Sequence, residues 1–74
     1  MAHYLAVVEP GEGNFSAYFP DLPGCVATGA TREELEENIR VALQRHVQGL
    51  MEDNQTIPES RAFAEFITVI PSQS

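Results

Sequence analysis

The stretch of residues 15–34 constrains the fold of this chain more than any other part of the sequence. Its first part alternates apolar and polar side chains, as a half-buried β-strand does, and two prolines and a glycine then predict a tight bend. A second short strand pattern follows. Thr31, with Glu34 three positions later, has the form of a helix capping box. Residues 15–34 therefore predict a strand, a bend, a second strand and the start of a helix.

The rest of the chain adds a strand at each end and completes the helix. Residues 3–9 and 62–70 are apolar on both alternating faces, which is typical of strands buried on both sides. The helix is predicted from Arg32 to about Met51. A step of about 100° per residue places one apolar stripe on it, made of Leu35, Ile39, Ala42, Leu43, His46 and Leu50.

These elements predict one fold class. We expect an α/β domain of the two-layer α+β kind, in the order β-β-β-α-β, with an antiparallel-rich sheet and one helix packed on one face. A chain of 74 residues is close to the lower size limit for an independent core, so we expect a single domain over residues 1–74.

The predicted sheet is too wide for the predicted helix. Four strands span about 20 Å, whereas one helix is about 10 Å across, so part of the apolar sheet surface stays uncovered. Such a surface marks an interface. We therefore expect a homo-oligomer, a dimer or a tetramer, with no monomer at micromolar concentration. The candidate interface residues are Tyr4, Ala6, Val8, Tyr18 and Phe66.

The charge of the chain excludes some partners and favours others. Eleven acidic residues against four basic ones give a formal net charge of −7, which opposes binding to nucleic acid phosphates and favours a basic protein partner. The alternative is that the acidity only keeps the protein in solution. With one cysteine there is no intramolecular disulfide, and no signal peptide or membrane span is recognisable. We expect a bacterial or archaeal cytoplasmic protein.

Two segments carry a resemblance to a known family, FSAYFPDLPGCVATG and TREELEENIRVAL. They resemble the N-terminal domain of the HicB-like antitoxins. The resemblance implies a degraded ribonuclease H-like fold without a nuclease centre, assembly into oligomers, and binding to HicA, a small basic toxin that cleaves mRNA, with occlusion of its active site. Many members also carry a C-terminal DNA-binding segment. We expect none in this chain, and direct nucleic acid binding is not expected.

Two groups of residues are candidates for binding the toxin. The first lies in the first two turns of the helix, where acids also complement the helix dipole: Glu33, Glu34, Glu36 and Glu37. The second lies in the bend, which is predicted to be a rigid exposed loop with an apolar tip: Phe19, Asp21, Leu22 and Pro23. Turn formation alone accounts for the prolines and the glycine of that bend, but less well for Leu22.

The sequence supports a catalytic function less well than a binding function. A two-metal nuclease centre needs several carboxylates at one place, and only Glu9, Asp21 and Glu65 are candidates on the strands and the bend. His46 is better explained as a semi-buried core residue than as a general base, and Cys25 as a small buried residue than as a reactive thiol. We expect no enzyme activity, no cofactor and no metal. The alternatives are an oligomeric scaffold without a toxin and a residual metal-dependent nuclease.

Overall fold

The computed structural model describes residues 2–72 of the chain. Within that range it contains three strands and one helix, which are β1 (Val7–Pro10), β2 (Phe15–Tyr18), β3 (Val26–Gly29) and α1 (Arg32–Glu52). The strands lie in the order β1-β2-β3 and both pairs are antiparallel. Val8 is paired with Ala17, and Ala17 with Ala27. The predicted α+β class, an antiparallel sheet with a helix packed on one face, is confirmed.

The alternation predicted for residues 15–19 is confirmed. Ala17 and Phe19 are buried, whereas Ser16 and Tyr18 are exposed. Among the described elements, α1 packs against β3 and, less extensively, against β2, but not against β1. One helix therefore covers only part of one sheet face, as the comparison of widths predicts.

The bend between β2 and β3 belongs to the core. Phe19, Leu22 and Cys25 form one buried cluster, and the partly buried side chains of Tyr4, Ala6, Ile39, Ala42 and Leu43 pack against it. The bend folds on itself because the Leu22 N–H donates to the Phe19 carbonyl and the Cys25 N–H to the Leu22 carbonyl, both at 3.1 Å. The predicted exposed apolar tip is therefore wrong for Phe19 and Leu22, since these turns direct both side chains inward.

The predicted helix start is confirmed in detail. The Glu34 N–H donates to the Thr31 hydroxyl oxygen at 3.1 Å, and the Glu34 carboxylate accepts the Ala30 N–H at 3.3 Å. This carboxylate reaches one residue further back than in the usual capping box, in which it accepts the N–H of the capping residue itself. The helix ends at Glu52, where the Asp53 N–H donates to the Gly49 carbonyl.

The first predicted strand is shorter and more exposed than expected. Pairing begins only at Val7, and Val8 keeps 45% of its surface exposed. The expectation that this strand is buried on both faces is wrong, because α1 lies over β2 and β3 and leaves β1 uncovered.

The fourth strand, predicted over residues 62–70, is absent from the described part of the chain, where residues 55–72 form neither helix nor strand. Ala62 is half-buried, and every residue from 63 to 70 is exposed. The radius of gyration is 15.6 Å, against about 11 Å for a compact chain of this length. The last element of the predicted order β-β-β-α-β is therefore wrong for residues 2–72. Residues 58–62 are held on the body of the domain by hydrogen bonds, and the chain then projects away from the sheet.

Across the described residues, α1 is the only helix, and it is not apolar enough to span a membrane.

Candidate partner-binding surfaces

The acidic helix start, which we define as Glu33, Glu34, Glu36 and Glu37, is exposed throughout. Its carboxylates flank Leu35, which is buried, so the helical period directs them to solvent. Glu37 accepts a hydrogen bond from the Arg40 guanidinium at 3.1 Å, and both side chains are mostly exposed. An exposed pair of this kind is worth little to stability. The arrangement therefore leaves these acids on a surface that a partner can reach.

Asp21 has a structural function that the sequence did not reveal. Its carboxylate oxygen Oδ2 accepts the backbone N–H groups of Arg61 and Ala62, at 2.8 and 2.9 Å. These two hydrogen bonds lower the pKa of the Asp21 carboxyl below its ordinary value, and the bond from Ala62 has the larger effect of the two. We call this contact the Asp21 anchor. It ties the chain after the helix to the bend between β2 and β3.

We expect the Asp21 anchor to make stability depend on pH. A carboxyl with a lowered pKa in the folded state stabilises the fold above its ordinary pKa of 3.8, and this contribution is lost as pH falls through the lowered value. Asp21→Asn should therefore be less stable than the native chain at pH 7, and the difference should shrink below pH 3.8. Urea unfolding across this range measures it.

Glu12→Gln is the matched control for this experiment, because it neutralises an exposed carboxylate on the β1–β2 loop. It should leave the pH profile close to that of the native chain. A gap between the native chain and Asp21→Asn that stays constant from pH 7 down to pH 2 would contradict the assignment.

The remaining bend residues divide between core and surface. Phe19 and Leu22 are not available to a partner, since their side chains are buried. Pro23 is exposed, and Gly24 beside it has a φ of 86°, in the left-handed region that favours glycine. Asp21 is half-buried. Of the predicted loop surface, Pro23 and part of Asp21 remain accessible.

The candidate interface residues lie on different sides of the sheet. Tyr4 and Ala6 pack against the core cluster beneath α1, where Tyr4 meets Phe19 edge to face with the ring centroids 6.4 Å apart. Tyr18 lies on the opposite face, directly across from Val26, and both are exposed. Phe66 is fully exposed beyond the sheet. These candidate residues therefore do not all lie on one surface of the sheet, and their function in oligomer contacts stays a prediction.

The candidate catalytic residues do not lie together in the structure. Within residues 2–72, no group of three or more His, Cys, Asp or Glu side chains is placed to hold a metal ion. Glu9 and Glu65 are exposed, and Asp21 is engaged in its anchor. His46 is half-buried. Cys25 is buried as predicted, and burial raises the pKa of its thiol, which disfavours the reactive thiolate.

Sequence reasoning also missed a groove beside the N-terminal segment. Its volume is about 610 Å³, and it is lined by Tyr4 together with residues of α1 and Ile57. The Tyr4 hydroxyl donates to the Pro58 carbonyl at 2.6 Å. The only signal for the groove in the sequence is the apolar character of Val47 and Met51, which lie on α1 outside the predicted stripe.

Comparison with known proteins gives a consistent family. The model of a HicB-like antitoxin of bacterial toxin–antitoxin systems matches residues 4–70. An uncharacterised 14.9 kDa protein from the rep–hol intergenic region of Haemophilus phage HP1 is 30% identical over 86% of this chain. The match spans 48% of that phage protein, so this chain corresponds to about half of it.

Two further relatives are closer to this chain in length. A UPF0150 protein of Thermoplasma acidophilum is 32% identical over 93% of this chain and 97% of its own length. A UPF0150 protein of a Synechocystis species is 27% identical over 80% of this chain and 75% of its own length.

Proposed function

This chain belongs to the HicB-like antitoxins of bacterial toxin–antitoxin systems, and from this premise we propose that it binds and neutralises a small basic HicA-like toxin that cleaves mRNA. The chain would occlude the active site of the toxin and keep RNA out. The match of the family over residues 4–70 is the observation that carries this proposal, because it includes the whole sheet, the helix and the chain beyond.

The charge distribution supports a basic partner. The net charge of −7 is partly concentrated at the acidic helix start, where the four carboxylates are exposed. Complementary charge accelerates the encounter of two proteins and contributes more to association rate than to affinity. The toxin acts on mRNA, so the proposal places both proteins in the cytoplasm.

Exposed apolar side chains would supply affinity after the encounter. Tyr18 and Val26 form an exposed pair on the sheet face that α1 does not cover. Aromatic and aliphatic side chains in a desolvated centre carry most of the binding energy of a typical interface. A homo-oligomer of this chain would present more than one such surface at once.

Co-expression with the product of the adjacent gene tests the proposal. We expect this chain to restore growth against that product, and affinity purification to recover a small basic protein. Recovery of no such protein, together with no restoration of growth, would contradict the proposal and favour an oligomeric scaffold without a toxin. RNA cleavage by the purified chain with Mn²⁺, abolished by Glu9→Gln, would instead indicate a residual nuclease.

We expect neutralisation of the acidic helix start to slow toxin binding. The triple variant Glu33→Gln, Glu36→Gln, Glu37→Gln retains Glu34, whose carboxylate caps the helix. Its association rate constant should fall about tenfold at low ionic strength, and the dependence on salt should become shallower. Stopped-flow or surface-based kinetics measures both quantities.

The matched control removes the same number of negative charges from another part of the surface. Glu9→Gln, Glu12→Gln and Glu52→Gln together remove three exposed carboxylates away from the helix start. This control should bind the toxin at close to the native rate. Equal slowing by both triple variants would show that total charge, and not this surface, directs the encounter.

A further inference from the structure

The groove beside the N-terminal segment has the size of a small-molecule site. Its volume is about 610 Å³, and ligand pockets typically have volumes of about 300–1,000 Å³. Such pockets combine a mainly apolar surface with a few polar groups that fix the orientation of the ligand. The lining of this groove has the same combination, and its order along α1 indicates the shape of the ligand.

Two parallel rows of side chains on α1 form one side of the groove. Residues four apart in a helix lie above one another on the same face. The lining contains a polar row that is exposed throughout and an apolar row whose first two members are half-buried, in this order: Arg40, Gln44 and Gln48, then Leu43, Val47 and Met51. At 1.5 Å per residue, each row is about 12 Å long. The groove therefore has a polar rim along an apolar floor.

The rest of the lining comes from the N-terminal segment and from the chain after α1. Tyr4 and Ile57 supply most of this surface. The Tyr4 hydroxyl donates to the Pro58 carbonyl at 2.6 Å, so the two segments are joined directly. The Tyr4 ring also packs on Phe19 of the core cluster. The groove is thus shaped before any ligand enters, and a site shaped in advance costs less free energy to fill.

The charge of the lining favours an anionic ligand. Arg40 is its charged residue, and no acidic residue lines the groove within residues 2–72. A basic protein therefore gains no ion pair there. The Arg40 Nη1 donates to Glu37 at 3.1 Å, but a guanidinium has further N–H donors and can hold a second carboxylate. Because Arg40 stands at one end of the polar row, it fixes the charged end of the ligand at that end of the groove.

We propose that the groove binds a medium-chain carboxylate, with the carboxylate on Arg40 and the alkyl chain along the apolar row towards Met51. An extended chain advances about 1.2 Å per bond, so a chain of about ten carbons matches the 12 Å length of the row. Each methylene group that is buried should strengthen binding by about fourfold. This ligand needs no toxin to bind, so the site stands or falls independently of the proposed antitoxin function.

NMR titration of the isotope-labelled full chain with monomeric decanoate tests the site. We expect a dissociation constant of about 1 mM or tighter. The chemical shift changes should include Tyr4, Val47 and Met51, and should spare the Tyr18–Val26 pair on the opposite sheet face. Octanoate should bind about tenfold more weakly. The gain in affinity should stop once the chain is longer than the groove, whereas adsorption to any exposed apolar surface would continue to strengthen with chain length.

Two arginine variants test the charged end of the site. Arg40→Gln should weaken decanoate binding by about fivefold, since it removes an exposed ion pair with the ligand. Arg45→Gln makes the same change at an exposed position of α1 that is not in the lining, so its affinity should stay near the native value. Glu37→Gln removes the carboxylate that competes for Arg40 and should strengthen binding by about twofold.

Decanol provides a comparison that needs no variant, because it has the same chain without the charge. It should bind about fivefold more weakly than decanoate. Equal affinity for decanol and decanoate would overturn the proposal, as would equal weakening by Arg40→Gln and Arg45→Gln. Shift changes centred on residues 63–70 or on the Tyr18–Val26 pair, or none at all up to about 10 mM decanoate, would also show that the groove is not the site.

Discussion

Gly29→Ala is expected to destabilise this domain by about 3 kcal/mol, because the added methyl group would meet the backbone of the helix. A Cβ at Gly29 would lie 2.5 Å from the Leu35 nitrogen and 2.8 Å from its Cα. These are main-chain atoms and cannot rotate away as a flexible side chain can. The first turn of α1 would have to move off β3, on which it is packed. Urea unfolding at a fixed protein concentration measures the loss.

Gly49→Ala is the matched control, since it makes the same substitution inside α1. A Cβ at Gly49 meets nothing within 4 Å. Alanine costs less conformational entropy than glycine in a helix, so this variant should be more stable by about 0.5–1 kcal/mol. The two variants should therefore change stability in opposite directions. Equal stability of Gly29→Ala and the native chain would mean that β3 and α1 are not in the close contact described here.

Leu22→Ala is expected to cost about 2–5 kcal/mol, the range for truncation of a fully buried leucine. Leu22 has no exposed surface, and it packs with Phe19 and Cys25 at the centre of the core. A folded chain of 74 residues has a total stability of about 4–11 kcal/mol, so this single change removes a large share of it. The midpoint of urea unfolding should fall accordingly, with far-ultraviolet circular dichroism as the readout.

Met51→Ala is the control for Leu22→Ala. It removes a side chain of similar size that is 59% exposed at the end of α1. Its effect should stay within about 0.5 kcal/mol. If Leu22→Ala proved as mild as this control, Leu22 would be a surface residue of the bend, as its position between two prolines suggests from sequence alone.

Local interactions were predictable because each depends on residues close together in the sequence. The alternation of residues 15–19 places Ala17 and Phe19 in the core, and the pair of Thr31 and Glu34 starts the helix where the structure has it. Leu35 and Leu43, on the predicted stripe, are buried and partly buried as expected. The membership of the HicB-like family was likewise visible in the bend and the helix start.

The sequence by itself determined the α+β class, the limits of the helix and the family of this protein, since periodicity and capping act within a few residues. Tertiary structure decided three further points: the inward direction of Leu22, the Asp21 anchor to Arg61 and Ala62, and the departure of residues 63–70 from the sheet. The anchor joins positions 40 and 41 residues apart, and no short-range pattern encodes such a contact. An apolar strand pattern predicts that a segment pairs with another strand. It does not predict whether that strand belongs to the same chain, because strand pairing depends on the tertiary structure.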